Sequence, residues 1–169
     1  MKKTSSFLVR NMVPDDWEAV ARIYAEGIAT GMATFEQNVP SYTEWHKAHL
    51  EWCRLVATHK TLAIGWAALS PVSSRCVYGG VAEVSVYTAK DYRGKGIGRL
   101  LLRTLIAESE AKGIWTLQSG VFPENEGSIA LHKKSGFRYI GKRERIGKLH
   151  GEWKDNLLFE RRSDSIGVD

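Results

Sequence analysis

The sequence predicts an α/β (α+β) domain in which helices flank a central mixed β-sheet. Alternating, β-branched stretches such as VAEVSVYTA are typical of strands, and leucine-rich stretches at helical spacing are typical of helices. These elements alternate as β-α-β-α-β-β in the second half of the chain, which favours a layered α/β architecture. The 169 residues, 43% of them apolar and 25% charged, are enough for one domain with its own core.

The first half predicts one strand, two helices and a pair of strands. FLVRNMV predicts the first strand, and Pro14 followed by two aspartates begins a helix, because proline and acidic residues suit its first turn. Ser41 and Glu44 have the spacing of a capping box at the start of a second helix. RLVATHKTLAIGWAALS then predicts two strands joined by a tight turn.

The second half begins with VAEVSVYTA, which predicts a strand leading into a glycine-rich loop. A leucine-rich helix follows and ends at Gly113, and IWTLQSGVF predicts the next strand. A short helix ends at Gly136. RYIGKRERIG and EWKDNLLFERR predict a closing pair of strands.

Composition excludes several classes of function. The net charge is +5, but no basic run exceeds three residues, so we expect no nucleic-acid partner. The N-terminal apolar stretch is too short for a signal peptide, and every apolar run is far shorter than the roughly 20 residues of a membrane span. We therefore expect a cytoplasmic protein without membrane attachment.

The cysteines and histidines predict no disulfide and no metal site. Cys53 and Cys76 lie far apart and lack metal-ligand spacing, so we expect reduced thiols. His46, His49 and His59 show no ligand spacing either, and we expect them at the surface.

The segment DYRGKGIG raises the question of which phosphate it binds. No Gly-Lys is followed by Ser or Thr, which excludes a Walker loop, and Gly94, Gly96 and Gly98 lack the spacing of a dinucleotide fingerprint. A plain strand-to-helix turn remains an alternative. The pattern Arg93-x-x-Gly96-x-Gly98 favours a loop whose amides, from Lys95 to Arg99, converge on a diphosphate at a helix N-terminus.

This loop resembles the coenzyme A pyrophosphate loop of the GCN5-related N-acetyltransferases. NEGSIALHKKSGF is similar to the second landmark of that superfamily. Together with IYAEGIATGMATFE, PENEGSIALH and KLHGEWKD, the chain resembles the phosphinothricin and methionine sulfoximine acetyltransferases over about residues 7–162. The resemblance implies a single N-acetyltransferase domain over residues 1–169, a splayed mixed sheet with acetyl-CoA in the gap, and a homodimer.

The resemblance also implies which residues contact acetyl-CoA. The end of the VAEVSVYTA strand is expected to run beside the pantetheine arm and to leave one amide, at Val86 or its neighbour, facing the thioester oxygen. The expected cofactor-binding residues are Val86, Tyr87, Thr88, Arg93, Gly94, Lys95, Gly96, Ile97, Gly98, Arg99, Asn125 and Ser128. Asn125 is also placed to cap a helix, and that alternative stays open.

Two side chains are candidates for proton transfer. Glu83 is the only acid in its strand, and the resemblance makes it the base that takes a proton from the amine, directly or through a water. His132 occupies a position where many relatives have tyrosine, and it is the candidate acid for the leaving thiolate. Histidine could instead act as a base, or serve only in packing.

A third group of residues is expected to hold the acceptor. Arg75 follows a small-residue loop, and a guanidinium suits a carboxylate or phosphinate. The resemblance places this loop and the Glu83 strand in the substrate pocket, with Phe35 as a possible wall. The expected substrate-binding residues are Phe35, Ser73, Ser74, Arg75, Glu83, Val84 and Ser85.

The sequence therefore predicts an acetyl-CoA-dependent N-acetyltransferase that needs no metal. The acceptor implied by the resemblance is the α-amine of phosphinothricin, methionine sulfoximine or methionine sulfone, acetylated by direct attack. Two alternatives stay open: another amine as acceptor (a protein N-terminus, an aminoglycoside or a polyamine), or a non-catalytic sensor that binds acyl-CoA.

Overall fold

The computed structural model describes residues 7–169 and contains one seven-stranded sheet. Its strands are β1 Phe7–Asn11, β2 Leu55–His59, β3 Leu62–Pro71, β4 Val81–Thr88, β5 Thr116–Val121, β6 Arg138–Leu149 and β7 Glu152–Arg162. Its α-helices are α1 Trp17–Ile28, α2 Tyr42–Ala48, α3 Ile97–Ala111 and α4 Glu126–Lys134. Short 3₁₀ turns lie at Pro14–Asp16, Cys76–Tyr78 and Lys90–Tyr92. The predicted mixed sheet with flanking helices is confirmed.

The strands lie in the order β1-β2-β3-β4-β5-β7-β6. All neighbouring pairs are antiparallel except β4 and β5, which are parallel and joined by the crossover helix α3. A parallel pair needs such a long connection because the second strand must start at the same end of the sheet as the first.

Each face of the sheet buries its own apolar cluster. On one face, α3 places Leu101, Leu102 and Leu105 against strand residues that include Leu117 and Phe159. On the other face, α1 and α2 pack an aromatic cluster against β3 and β4. The strands alternate their side chains between these two layers, so adjacent residues serve different faces.

The predicted start of α2 and the predicted ends of α3 and α4 are confirmed by local geometry, whereas the helix predicted from Pro14 begins as a 3₁₀ turn and becomes α-helical at Trp17. Ser41 and Glu44 form the reciprocal capping box at the start of α2. Gly113 and Gly136 lie just beyond α3 and α4 with φ of 81° and 87°, a left-handed conformation that glycine adopts without a steric penalty.

An ion pair that the sequence analysis did not predict lies just before α1. Asp16 accepts two hydrogen bonds from the Arg10 guanidinium, at 2.7 and 2.8 Å, and a third from the Val13 amide. The bonds to Arg10 hold the pKa of Asp16 below its ordinary value.

Within residues 7–169, each helix is either too short or too polar to cross a lipid bilayer.

Candidate active site

The central feature of the site is the separation of β4 from β5. The two strands pair only from Val81↔Thr116 to Glu83↔Gln118, and beyond that point β5 continues against β7. The splayed sheet predicted for this chain is therefore present, and the gap opens directly after Glu83.

The backbone of β4 offers polar groups to this gap. Ala89 donates its amide to Ile64 of β3, whereas the Gly80 carbonyl accepts from Thr116 beside β5. Alternate residues of a strand direct their backbone groups to opposite neighbours. The amides of Val84 and Val86 consequently face the side on which β5 has turned away.

A cleft of about 1180 Å³ occupies the gap and extends from the start of α3 to the closing strands. Most of the predicted site residues line it: Phe35, Glu83, Val84, Ser85, Val86, Tyr87, Thr88, Arg93, Gly94, Gly96, Gly98, Arg99, Asn125, Ser128 and His132. The structure thus brings together in space residues from the α1–α2 loop, β4, α3 and α4.

The glycine-rich loop has the backbone that its sequence demands. Gly94 and Gly96 have φ of 75° and 85°, and a Cβ at either position would meet no neighbouring atom. Glycine is therefore required by backbone conformation rather than by lack of space. Gly98 differs, because a Cβ there would lie 3.2 Å from Leu131 of α4.

The loop leads directly into α3, whose first intrahelical bond runs from the Leu100 amide to the Gly96 carbonyl. The preceding amides have no acceptor within the helix and carry its positive dipole end toward the cleft. Arg93 is tied to neighbouring backbone, donating to the carbonyls of Thr88 and Glu26 at 3.3 and 3.2 Å. These bonds fix the loop against β4 and α1.

Two predicted cofactor-binding residues do not line the cleft. The Ile97 side chain is buried in the α3 core, so only its backbone is available to a ligand. The Lys95 ammonium lies 5.0 Å from the centre of the Tyr92 ring, outside the cleft.

Glu83 is half-buried in the cleft and is held by one neighbour. Its Oε2 accepts a hydrogen bond from Gln118 Nε2 at 3.1 Å. Gln118 is the last residue of β5 that pairs with β4, so the carboxylate is positioned at the opening of the gap.

His132 is 4% exposed and packs between Phe137 and Phe159. Its Nδ1 lies 2.7 Å from the Ser128 carbonyl, a contact that requires a proton on Nδ1. Its Nε2 is buried and has no hydrogen-bond partner within the described residues. Burial lowers the pKa of His132, so the neutral ring offers Nε2 as an acceptor.

This burial predicts a pH-dependent contribution to stability. The folded-state pKa of His132 lies below its ordinary value of 6.5, so the unfolded chain takes up a proton first as the pH falls. The stabilisation is complete above about pH 6.5 and is lost below it. As the pH falls from about 7.5 to 5.5, we expect the free energy of unfolding of the parent to decrease more steeply than that of His132→Phe. Urea titrations at each pH measure both slopes, and parallel slopes would contradict this.

Asn125 acts as the cap of α4. Its Oδ1 accepts from the Ser128 amide at 3.1 Å, and its Nδ2 donates to the Met32 carbonyl at 3.2 Å. The alternative of a helix-capping residue is thereby confirmed, and the same side chain anchors the α1–α2 loop at the cleft. Its predicted contact with the cofactor stays a prediction.

The predicted acceptor loop lies elsewhere. Ser73, Ser74 and Arg75 belong to the connection between β3 and β4 and do not line the cleft. The Arg75 guanidinium lies 5.5 Å from the centre of the Tyr78 ring. Their role in acceptor binding stays a prediction. Phe35 does line the cleft and contacts Phe122 edge to face, with ring centres 4.7 Å apart.

The structure adds cleft residues that sequence reasoning missed. Trp45 of α2 stacks on His49, which directly follows the helix, with ring centres 4.3 Å apart. His49 was predicted at the surface, but it is half-buried and lines the cleft. The ring centres of Tyr24 and Tyr87 lie 4.9 Å apart, and burial raises the pKa of both hydroxyls. The helical spacing of α1 and α2 could have placed these side chains on the sheet face, but it could not have shown that the face borders a cleft.

Known proteins are similar to this chain in sequence. The model of the acetyltransferase (GNAT) family matches residues 17–137. A phosphinothricin N-acetyltransferase from Alcaligenes faecalis is 36% identical over 90% of this chain and 81% of its own length. An L-methionine sulfoximine/L-methionine sulfone acetyltransferase from Pseudomonas aeruginosa is 38% identical, over 45% of this chain and 44% of its own length.

A solved structure is similar over almost the entire chain. The GNAT superfamily phosphinothricin acetyltransferase from Sinorhizobium meliloti, crystallised with acetyl-CoA, superposes with a TM-score of 0.82. The two share 28% identity, and the similarity covers 96% of each chain. The family match, the splayed sheet and this likeness agree: the chain belongs to the GNAT family of N-acetyltransferases.

Proposed function

We propose that residues 7–162 form a single domain that transfers the acetyl group of acetyl-CoA to the α-amine of a small amino acid analogue. Phosphinothricin, methionine sulfoximine and methionine sulfone are the acceptors that the relatives' names suggest. One observation carries the proposal: the β4–β5 pairing ends at Glu83, so a carboxylate and unpaired strand amides meet in one cleft.

The cleft suits coenzyme A along its length. The left-handed glycines and the free first-turn amides of α3 match a diphosphate, because a helix N-terminus stabilises negative charge. The end of β4 can pair with the amide groups of the pantetheine arm as a strand would, which leaves one of its gap-facing amides for the thioester oxygen. His132 lines the cleft as well, and its buried Nε2 has no hydrogen-bond partner within the described residues.

The chain's own groups account for the chemistry of transfer. Glu83 takes a proton from the acceptor's ammonium, directly or through a water, which frees the nitrogen lone pair. An amide of β4, at Val86 or its neighbour, stabilises the carbonyl oxygen as it gains charge. For His132 to act as the acid, its ring must first be protonated at Nε2, because Nδ1 already donates to the Ser128 carbonyl. Nε2 then gives this proton to the leaving thiolate and regains one from the attacking nitrogen, which loses its second proton as the amide forms.

Direct attack by the amine is favoured over an acyl-enzyme. Cys53 is buried in the α3 core, where burial raises the pKa of its thiol to about 12, and Cys76 lies in the exposed β3–β4 connection. Neither cysteine lines the cleft. A thiol that stays protonated is a poor nucleophile.

An acceptor screen tests the proposal. Purified protein is mixed with acetyl-CoA and one amine at a time, and thiol release is followed with a chromogenic disulfide. Release with methionine sulfone or phosphinothricin but not with spermine, an aminoglycoside or an N-terminal peptide supports it. Release only with the other amines would reassign the acceptor. Binding of acetyl-CoA without release for any amine would indicate a sensor.

We also propose a homodimer formed through the β6–β7 hairpin. β6 is an edge strand, and the hairpin exposes large apolar side chains, among them Ile140 and Trp153. An edge of this kind is commonly covered by another chain. We expect light scattering to give a dimer mass for the parent and a monomer mass for the double variant Ile140→Glu, Trp153→Glu. Leu62→Glu, at an equally exposed leucine of β3, should stay dimeric; a monomeric parent would contradict the proposal.

A further inference from the structure

Besides Arg93 and Arg99, the cleft is lined by Arg143, which lies on the closing hairpin. Arg143 of β6 is paired with Asn156 of β7, and its Nη2 donates to Asn156 Oδ1 at 2.6 Å. Asn156 is 6% exposed, and its amide fills the space above Gly120, where a Cβ would come within 2.8 Å of Oδ1. The buried amide therefore fixes one edge of the guanidinium at the cleft wall.

The positive charge of Arg143 is not neutralised by the protein. Within residues 7–169 no carboxylate lies within 4.0 Å of its guanidinium. The nearby acids are engaged elsewhere: Glu144 and Asp155 pair with Lys142, and Asp155 also accepts from the Arg145 amide. A guanidinium has five donors in a planar fork, so donors remain for a ligand.

Arg143 lies on the same face of the sheet as Glu83, and both residues line the cleft. Leu117 and Leu157 point into the α3 core, so Gln118 and Asn156, their neighbours in sequence, point to the opposite face. Glu83 lies on that face as well, because it bonds to Gln118. The base candidate and the arginine anchor thus share one side of the sheet.

We propose that Arg143, held by Asn156, binds the α-carboxylate of the acceptor. This inference rests on the proposed function, because an α-amino acid carries its carboxylate one carbon from the amine that Glu83 deprotonates. A guanidinium whose charge is uncompensated pairs with a carboxylate through two parallel hydrogen bonds. Arg143, unlike Arg75, lines the cleft, and the proposal gives it the carboxylate contact that the sequence analysis expected of Arg75.

The test compares two acceptors in two proteins. KM is measured for methionine sulfone and for its primary amide, which lacks the carboxylate, with the parent and with Arg143→Ala. We expect Arg143→Ala to raise KM for the acid about tenfold or more and to change KM for the amide and for acetyl-CoA little. Asn156→Asp, which keeps the shape but supplies a competing carboxylate, should shift KM in the same selective way.

Arg145→Ala is the matched control. It removes the same charge two residues further along the strand, from a side chain that does not line the cleft. It should leave both KM values unchanged. Equal increases for acid and amide with Arg143→Ala, or a selective increase with Arg75→Ala alone, would overturn the inference. If the parent acetylates no amino acid analogue, the proposed function itself fails; if the parent is active and Arg143→Ala matches it, only this inference fails.

Discussion

Glu83→Gln is expected to lower kcat at pH 7 by about a hundredfold or more, because a positioned general base contributes roughly that factor. The amide keeps the shape of the carboxylate and a contact with Gln118, but it cannot accept the proton of the ammonium. The nucleophile must then come from the small fraction of acceptor that is already unprotonated.

This explanation predicts a pH profile as well as a loss. As the pH rises, the free-amine fraction grows, so the rate of Glu83→Gln should climb toward that of the parent. The measurement is kcat/KM for methionine sulfone from about pH 6.5 to 9.5. Equal turnover of variant and parent at pH 7 would remove Glu83 from the mechanism.

Glu36→Gln provides the comparison, because Glu36 is another carboxylate that lines the same cleft. Losing this charge should leave the pH profile parallel to that of the parent. A profile for Glu36→Gln that matches the one expected of Glu83→Gln would show that general charge in the cleft, not proton transfer, produces the effect.

Gly96→Val is expected to raise the Kd for acetyl-CoA about tenfold or more. Gly96 precedes α3 with φ of 85°, a conformation that costs an ordinary residue about 1–2 kcal/mol and a β-branched residue more. Relief of that strain would move the first amides of α3 out of alignment with the diphosphate. Calorimetric titration with acetyl-CoA, with folding checked by circular dichroism, measures the change.

Gly113→Val is the control that separates a loss of affinity for acetyl-CoA from the general effect of backbone strain. Gly113 follows the other end of the same helix, with φ of 81° and open space around its Cβ position. It should lose comparable stability while keeping the parent's Kd for acetyl-CoA. Equal affinity of the two variants and the parent would show that the loop does not hold the diphosphate.

Much of the fold could be predicted because its signals are local. Alternation along VAEVSVYTA, the capping box at Ser41 and the stop at Gly113 each depend on residues a few positions apart. Such patterns fix where an element begins and ends, because the backbone bonds they serve lie within that element. The glycine loop was predicted for the same reason, because its conformation and its direction into α3 depend on consecutive residues.

Which residues line the cleft could be predicted only in part. Residues that follow one another, from Glu83 to Arg99, were placed together by their order in the chain. Arg75 was assigned to the acceptor by its chemistry and by the family resemblance, yet its loop lies outside the cleft lining. His49, predicted at the surface, is half-buried against Trp45, which itself packs on Trp66 of β3.

The sequence by itself determined the order and kind of the elements, the glycine-rich loop before α3 and the presence of a carboxylate at Glu83. Only the tertiary structure decided that β5 leaves β4 after Gln118, that the His132 proton lies on Nδ1, and that Arg143 meets Asn156 across the last hairpin. The physical reason is distance along the chain. Strand register and side-chain pairing join residues far apart in sequence, and their outcome depends on how all seven strands pack at once.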